Sequence, residues 1–235
     1  MRIYLFRDRP RLFLHNIAVE ARRAQLQESH IKPLTAFVEE LRSEVGSAII
    51  AYFLALRSEV GFPSISIPYF DPWDGGIDAE CLFLFEAPGG NAVKSDFISR
   101  NNNDQTAENF FNFNVEAGLS RERTVSWNIV PWYIGSQAKI RPATKKDIEV
   151  AVQHLLRLFD LLPKLRAVVL HGLKAQQAEG YLSRPKPDLK IFKLPHPSPL
   201  FVNNKTGNKD IIVKGLKDVR QWLDEGVQQT GGLVP

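Results

Sequence analysis

Cysteine is nearly missing from this chain: Cys81 is the only one among 235 residues. A single thiol excludes an intramolecular disulfide framework, and it excludes any four-cysteine zinc or iron–sulfur site built by this chain alone. It suits a reducing compartment. Long hydrophobic runs are missing too. The longest, Ala48 to Leu56, has nine residues, where a membrane-spanning helix needs about 20. Arg2, Arg7, Arg9 and Arg11 break every apolar stretch at the N-terminus, so no signal-peptide core can be drawn there and the segment reads as a surface arm or as the product of a start codon placed too early. Glycine and proline, 15 of each, show no collagen-like or low-complexity period. Nothing resembles a metal-ligand cluster, a nucleophile elbow or a phosphate-binding glycine loop, so neither a metal nor another cofactor is expected. The expectation is a cytoplasmic protein with no membrane partner.

What is present is the composition of an ordinary packed protein: 44% apolar, 10% aromatic and 24% charged residues. The length suffices for one sizeable α/β domain or two small ones. The net charge of +4 hides a division. Up to Ala138, 13 lysines and arginines stand against 17 acids; from Lys139 onward, 17 stand against 9. The basic charge thus lies in the C-terminal portion, as expected if that part approaches a polyanion. A solvated lysine-rich surface would give the same count.

Four short runs read as buried strands: Cys81–Phe85, Val125–Val130, Ala167–Leu170 and Lys190–Leu194. Helical patterns alternate with them at Thr106–Ala117, Thr144–Leu162, just after Gly172, and Asp210–Asp224. In the second, Thr144 can cap with Asp147 three residues on, and Ile148, Val152, Leu155, Phe159 and Leu162 form a stripe. This alternation predicts a three-layer α/β/α sandwich around a four-stranded parallel sheet with right-handed crossovers. Before the first strand, helices are expected around Leu34–Val45 and Ala48–Val60. Both end in Leu-Arg-Ser-Glu-Val-Gly, at Leu41–Gly46 and Leu56–Gly61, where each glycine can stop a helix in the left-handed region. Phe62–Ile77, with three prolines and Gly75-Gly76, reads as a loop into the core. The chain therefore divides into an N-terminal helical extension, residues 1–61, and one α/β/α domain, residues 62–235.

In an open parallel sheet, ligands bind outside the carboxyl ends of the strands. The first strand runs into Phe85-Glu86-Ala87-Pro88-Gly89-Gly90, which puts a carboxylate at the sheet edge in a turn fixed by Pro88 and made permissive by two glycines. An ordinary turn with a solvated glutamate would look the same. The second strand carries Asn128 inside an apolar run. A buried amide without partners costs roughly 1–3 kcal/mol. Asn128 therefore either ties down a neighbouring loop or presents its donor and acceptor to a flat ligand edge such as a nucleobase. The fourth strand ends in Leu194-Pro195-His196-Pro197-Ser198-Pro199-Leu200-Phe201. Its prolines hold His196 and Ser198 in a stiff loop and carry Leu200 and Phe201 to a tip that is costly unless it meets something. His171, at the third strand's end, reads as structural.

Two of these loops resemble the signature loops of the uracil-DNA glycosylase superfamily: FEAPGG at 85–90 and HPSPL at 196–200, with Asn128 on a strand between them. The first is similar to that of the superfamily's iron–sulfur branch, the second to that of its uracil-excising branch. The resemblance implies a monofunctional DNA glycosylase of base excision repair, which flips uracil or another deaminated base out of the duplex and hydrolyses its bond to the sugar. In that reading Glu86 activates the attacking water and stabilises the cationic sugar, while His196 donates a hydrogen bond to the base oxygen where negative charge grows. Asn128 reads the base's Watson–Crick edge, Phe97 stacks on the base, and backbone N–H groups around Ala87 and Gly89 line the pocket. Pro197, Ser198 and Pro199 press on the DNA backbone, Leu200 wedges into the gap left by the flipped base, and Lys193 and Lys205 attract phosphates. The implied partner is DNA, bound by a monomer. No lysine stands at a motif position to form a Schiff base, hence the monofunctional expectation.

The sequence also departs from the family. Phe85 replaces the glycine that usually precedes the acidic residue and narrows the pocket, and Ile129-Val-Pro-Trp-Tyr133 after Asn128 is unlike either branch. These departures motivate a second reading, a non-catalytic DNA-binding protein of the same fold that recognises damaged or single-stranded DNA. A third, a small-nucleoside hydrolase using Glu86 and His196, has no further motif behind it.

Overall fold

Helices and strands alternate in the order set by the hydrophobic periods. The first half forms α1 (Arg9–Gln25), α2 (Lys32–Leu56), β1 (Tyr69–Phe70), β2 (Cys81–Phe85), α3 (Gly90–Ser95), β3 (Phe97–Ile98), α4 (Gln105–Ala117) and β4 (Thr124–Asn128). The second forms α5 (Lys145–Asp160), β5 (Ala167–His171), α6 (Gly172–Gln176), α7 (Glu179–Leu182), β6 (Lys190–Leu194), α8 (Pro199–Val202) and α9 (Asn208–Thr230). This is a computed structural model, and it describes residues 9–56, 66–135, 140–182 and 189–230.

β4, β2, β5 and β6 pair in that order, all parallel. Apolar residues on both faces of each central strand are what a sheet covered on both sides requires. Leu82, Leu84, Val125, Trp127, Val168 and Leu170 enter one core, shared with residues of α2 and α5. Cys81, Phe83, Ala167 and Val169 enter a second, shared with α4 and α9. The result is the expected three-layer sandwich. Truncating a buried aromatic such as Phe83, fully enclosed in the second core, costs about 3–5 kcal/mol.

Local signals explain the element ends. The Thr144 side chain accepts from Asp147 N and the Asp147 carboxylate accepts from Thr144 N, a complete capping box at the start of α5. Asp104 Oδ1 accepts from Ala107 N and opens α4. β4 stops at Asn128, short of the expected Val130, yet Ile129 N and Val130 N still donate to the carbonyls of Phe85 and Glu86 at 2.8 and 3.0 Å. Pro131, which has no N–H, then ends the pairing.

Three expectations need correction. Gly46 does not end a helix: α2 runs through it to Leu56, because Leu34, Phe37, Val38, Leu41 and Val45 keep a helical stripe docked on the sheet. That packing outweighs the roughly 1 kcal/mol cost of an internal glycine. The second copy of the hexapeptide lies, beyond Leu56, outside the described residues. A further helix, α1, begins at Arg9, in the part of the helical extension where the sequence pattern marks no helix. Within the expected loop, β1 forms and pairs in parallel with β3.

Below the sheet's N-terminal end of β4 lies a buried charge cluster. Arg121 places Nη2 2.7 Å from Asp71 Oδ2 and Nε 2.8 Å from Asp74 Oδ1. Arg100 Nε is 3.6 Å from Asp74, and Arg22 Nη2 is 3.9 Å from Asp71. Burial pushes the Asp74 carboxyl up, and the two facing arginines, Arg100 and Arg121, pull it back down. Among the described residues, no helix is long and apolar enough to cross a membrane.

Candidate active site

The carboxyl ends of β2 and β4 and the loop after β6 border one cavity of about 460 Å³, within the range of small-ligand sites. Glu86, Ala87 and Gly89 line it after β2, Ser126 and Asn128 on β4, and His196 after β6. Phe85, Ile98 and Phe110 supply apolar wall. Residues far apart in the chain are brought together because parallel strands deliver all their carboxyl ends to one edge.

Glu86 appears where β2 stops. Its Oε1 accepts from Ala143 N at 2.5 Å, and the carbonyl of the same residue accepts from Lys174 Nζ at 3.0 Å. The carboxylate is thus anchored through one oxygen by Ala143, whose own carbonyl is held by Lys174. Gly89 caps α3 with φ −79°, an ordinary conformation. The two glycines, expected to make this turn permissive, are therefore not needed for its geometry. A Cβ at Gly89 or Gly90 would meet nothing within 4 Å, so this backbone borders open space.

His196 sits on a fastened loop. Asn109 Nδ2 donates to Pro197 O at 2.9 Å, and Gln176 Nε2 donates to Leu194 O at 3.2 Å. His171 Nδ1 lies 3.1 Å from Pro195 O. A carbonyl only accepts, so Nδ1 of His171 carries the proton. Burial holds the pKa of His171 down at about 3, and its neutral ring stacks on Phe85 at 4.9 Å. Gly172 follows at φ +84°, and a Cβ there would stand 3.1 Å from His196 Cβ; only glycine suits both the turn and the approach. Burial also lowers the pKa of His196, against the opposing pull of Asp104. His196 is therefore a neutral imidazole near pH 7, with one N–H to donate.

Asn128 Nδ2 and Ser126 Oγ are buried and without hydrogen-bond partners. Phe97 is not at the cavity. Its side chain is fully buried and its ring lies 6.2 Å from that of Tyr69. Pairing of β3 with β1 turns it inward, and its successors Ile98, Ser99 and Arg100 line the cavity instead. Phe97 cannot stack on a base there.

Around the mouth, Pro197 is buried, Ser198 precedes α8 with its hydroxyl unused as a cap, and Pro199 opens that short helix. Leu200 is 86% exposed and Leu173, just past Gly172, is 82% exposed, the most exposed large hydrophobics among the described residues. Sequence reasoning passed over Leu173, although a leucine after a strand-end glycine was the available signal. It also passed over Ser126, Ser99 and Arg100. Lys193 is not free for a phosphate, because it pairs with Glu179 at 3.0 Å. Much of the basic C-terminal charge is used likewise: Arg166 with Glu80, Lys209 with Glu116 and Lys214 with Asp218. Lys205 is exposed and has no ion pair within the described residues.

A three-layer α/β/α protein with its cavity at the carboxyl ends of parallel strands is a binding or catalytic fold of the open-sheet class. Residues 72–220 match the family model described as Uracil DNA glycosylase superfamily, and the chain belongs to that superfamily. Among solved structures it is similar to Pedobacter heparinus SMUG2, at 13% identity over 63% of this chain and 77% of that one, with a TM-score of 0.49. It is also similar to a protein from Methanosarcina acetivorans described as a "putative Uracil DNA glycosylase", at 18% identity over 68% and 97% of the two chains, with a TM-score of 0.43. A search of curated protein sequences finds no match.

Proposed function

We propose that this protein is a monofunctional DNA glycosylase that hydrolyses the N-glycosidic bond of uracil or another deaminated base in DNA, with Glu86 and His196 as its catalytic residues. The observation that carries the reading is that Glu86 and His196 line one cavity in a chain of the uracil-DNA glycosylase superfamily. The anchored Glu86 carboxylate takes a proton from water as its oxygen attacks C1′, and its charge offsets the cationic sugar. The C1′–N bond breaks and its electron pair passes to the base. Neutral His196 donates its N–H to the base oxygen on which that charge collects. The products are an abasic site and the free base.

Asn128, with backbone at Ala87 and Gly89, holds the flipped base. Ser198 and Pro199 meet the DNA backbone over the buried Pro197, Lys205 adds phosphate attraction, Leu200 fills the gap in the stack, and the exposed Leu173 adds apolar surface. The catalytic unit is residues 62–235, acting as a cytoplasmic monomer, with residues 1–61 as its helical extension.

The test is an excision assay on oligonucleotides carrying uracil, hypoxanthine or xanthine, single-stranded and paired, followed by alkaline cleavage. The expected result is a strand break at one of these bases, reduced at least about 100-fold in Glu86→Ala and in His196→Ala, with unchanged circular dichroism. Full activity in both variants overturns the assignment. No cleavage with DNA binding retained favours the recognition protein that Phe85 at the cavity wall suggests.

A further inference from the structure

β4 presents Thr124, Ser126 and Asn128 to the same side, since alternate residues of a strand share a face. Their partners Phe83 and Phe85 on β2 place that face toward α4. The three polar residues fare differently. Thr124 Oγ1 accepts from Arg100 Nη2 at 2.8 Å and donates to Arg121 O at 3.0 Å. Ser126 Oγ and Asn128 Nδ2 have no partner, though their residues are only 2% and 3% exposed. These two, and not Thr124, line the cavity. Unpaired buried polar atoms are costly and uncommon, and two along one cavity wall are explained if a ligand completes them.

Asn128 ends the strand, so Ser126 lies deeper by about 6.6 Å along it. Arg100, 4% exposed, stands at that deep end against Thr124 and also lines the cavity. A two-ring base reaches further along that wall than a one-ring base, toward Ser126 as well as Asn128. Asn128 Nδ2 and Arg100 can only donate, so the edge they meet must carry acceptors, keto oxygens and ring nitrogens in place of an amino group.

We propose that the cavity takes a deaminated purine, hypoxanthine or xanthine, in preference to uracil, and that Ser126 is a specificity-determining residue donating to the purine's acceptor edge. This rests on the glycosylase reading and sharpens it. Ser126 makes no hydrogen bond within the protein, so Ser126→Ala leaves the unfolding midpoint in place, which a structural role would not allow.

The experiment compares the full-length protein with Ser126→Ala in two readouts: titration with free hypoxanthine, xanthine and uracil, and excision of the same bases from oligonucleotides. The expected result is binding and excision of a purine at least about tenfold above uracil, with that preference falling at least about tenfold in Ser126→Ala. Excision of uracil as well as or better than both purines, or a preference untouched by the substitution, overturns the proposal while leaving the glycosylase reading intact. Ser126-dependent purine binding without excision of any base upholds the proposed pocket and sinks the catalytic reading. Failure to bind or excise either purine overturns the proposal.

Discussion

At the N-terminal end of β4, Asp71 and Asp74 face Arg22, Arg100 and Arg121 across separations of 2.7 to 3.9 Å. At its C-terminal end, Ser126 Oγ and Asn128 Nδ2 are as deeply buried but meet a cavity in place of a partner. The two ends of one strand thus border two kinds of buried polarity. In the first, each charge has its opposite within the chain, so removing one member strands another in low dielectric. In the second, nothing inside depends on the group, so removing it is harmless to the fold and harmful only to whatever enters. Dependence on a partner separates architecture from site.

The sharpest way to test that contrast is to delete one group from each end. Asp74→Ala should destabilise the protein by about 3–5 kcal/mol in urea unfolding, because the buried Arg100 loses its facing carboxylate and Arg121 is left with Asp71 alone. Asn128→Ala should change stability by no more than about 0.5 kcal/mol while weakening base binding. Equal losses in the two would erase the distinction.

His171 belongs to the first kind by burial yet sits beside the second. Its pKa is about 3 in the folded protein against 6.5 in the free side chain. Between those values only the unfolded chain takes the proton, so stability is full above about pH 6.5 and falls as pH drops toward 3. The loss between about pH 7.5 and about pH 5 should be on the order of 2 kcal/mol. Unfolding of His171→Asn, which keeps a donor for Pro195 O, should show that part of the acid dependence removed.

Leu173 and Leu200 test the contrast at the surface. Either Leu→Ala change should weaken duplex binding about tenfold through lost apolar burial and leave thermal stability unaltered, since both are more than 80% exposed. Binding titrations paired with melts would show it; lower melting temperatures would place these leucines in the fold instead. The smallest effect is expected among the lysines. Lys205→Ala should reduce the salt dependence of DNA affinity by about one unit of slope, whereas Lys193→Ala, already neutralised by Glu179, should leave the slope in place.

Much of this site was legible before any coordinates. The runs Cys81–Phe85 and Lys190–Leu194 are strands with those same ends, and the loops after them hold the two residues to which catalysis is assigned. Phe97 shows where reading stops. Whether Phe97 or Ile98 turns to the cavity depends on which strand β3 pairs with, and neighbouring residues of a strand point to opposite faces. Lys193 shows the same for charge: its sign is in the sequence, but the acid that spends it lies on α7.

Sequence alone determined the order of the four strands of the main sheet and of α4, α5, α6 and α9 among them, the capping of α5 by Thr144 and the positions of the two loops, because periodicity and capping act over a few residues. Only the tertiary structure decided which buried polar groups would be paired. Thr124, Ser126 and Asn128 follow one another in the same alternation, and nothing in that pattern separates them. Arg100, 24 residues from Thr124, reaches Thr124 and stops there, which leaves the next two open to the cavity. Hydrogen-bond completion is a matter of distant neighbours, and distant neighbours are settled by packing.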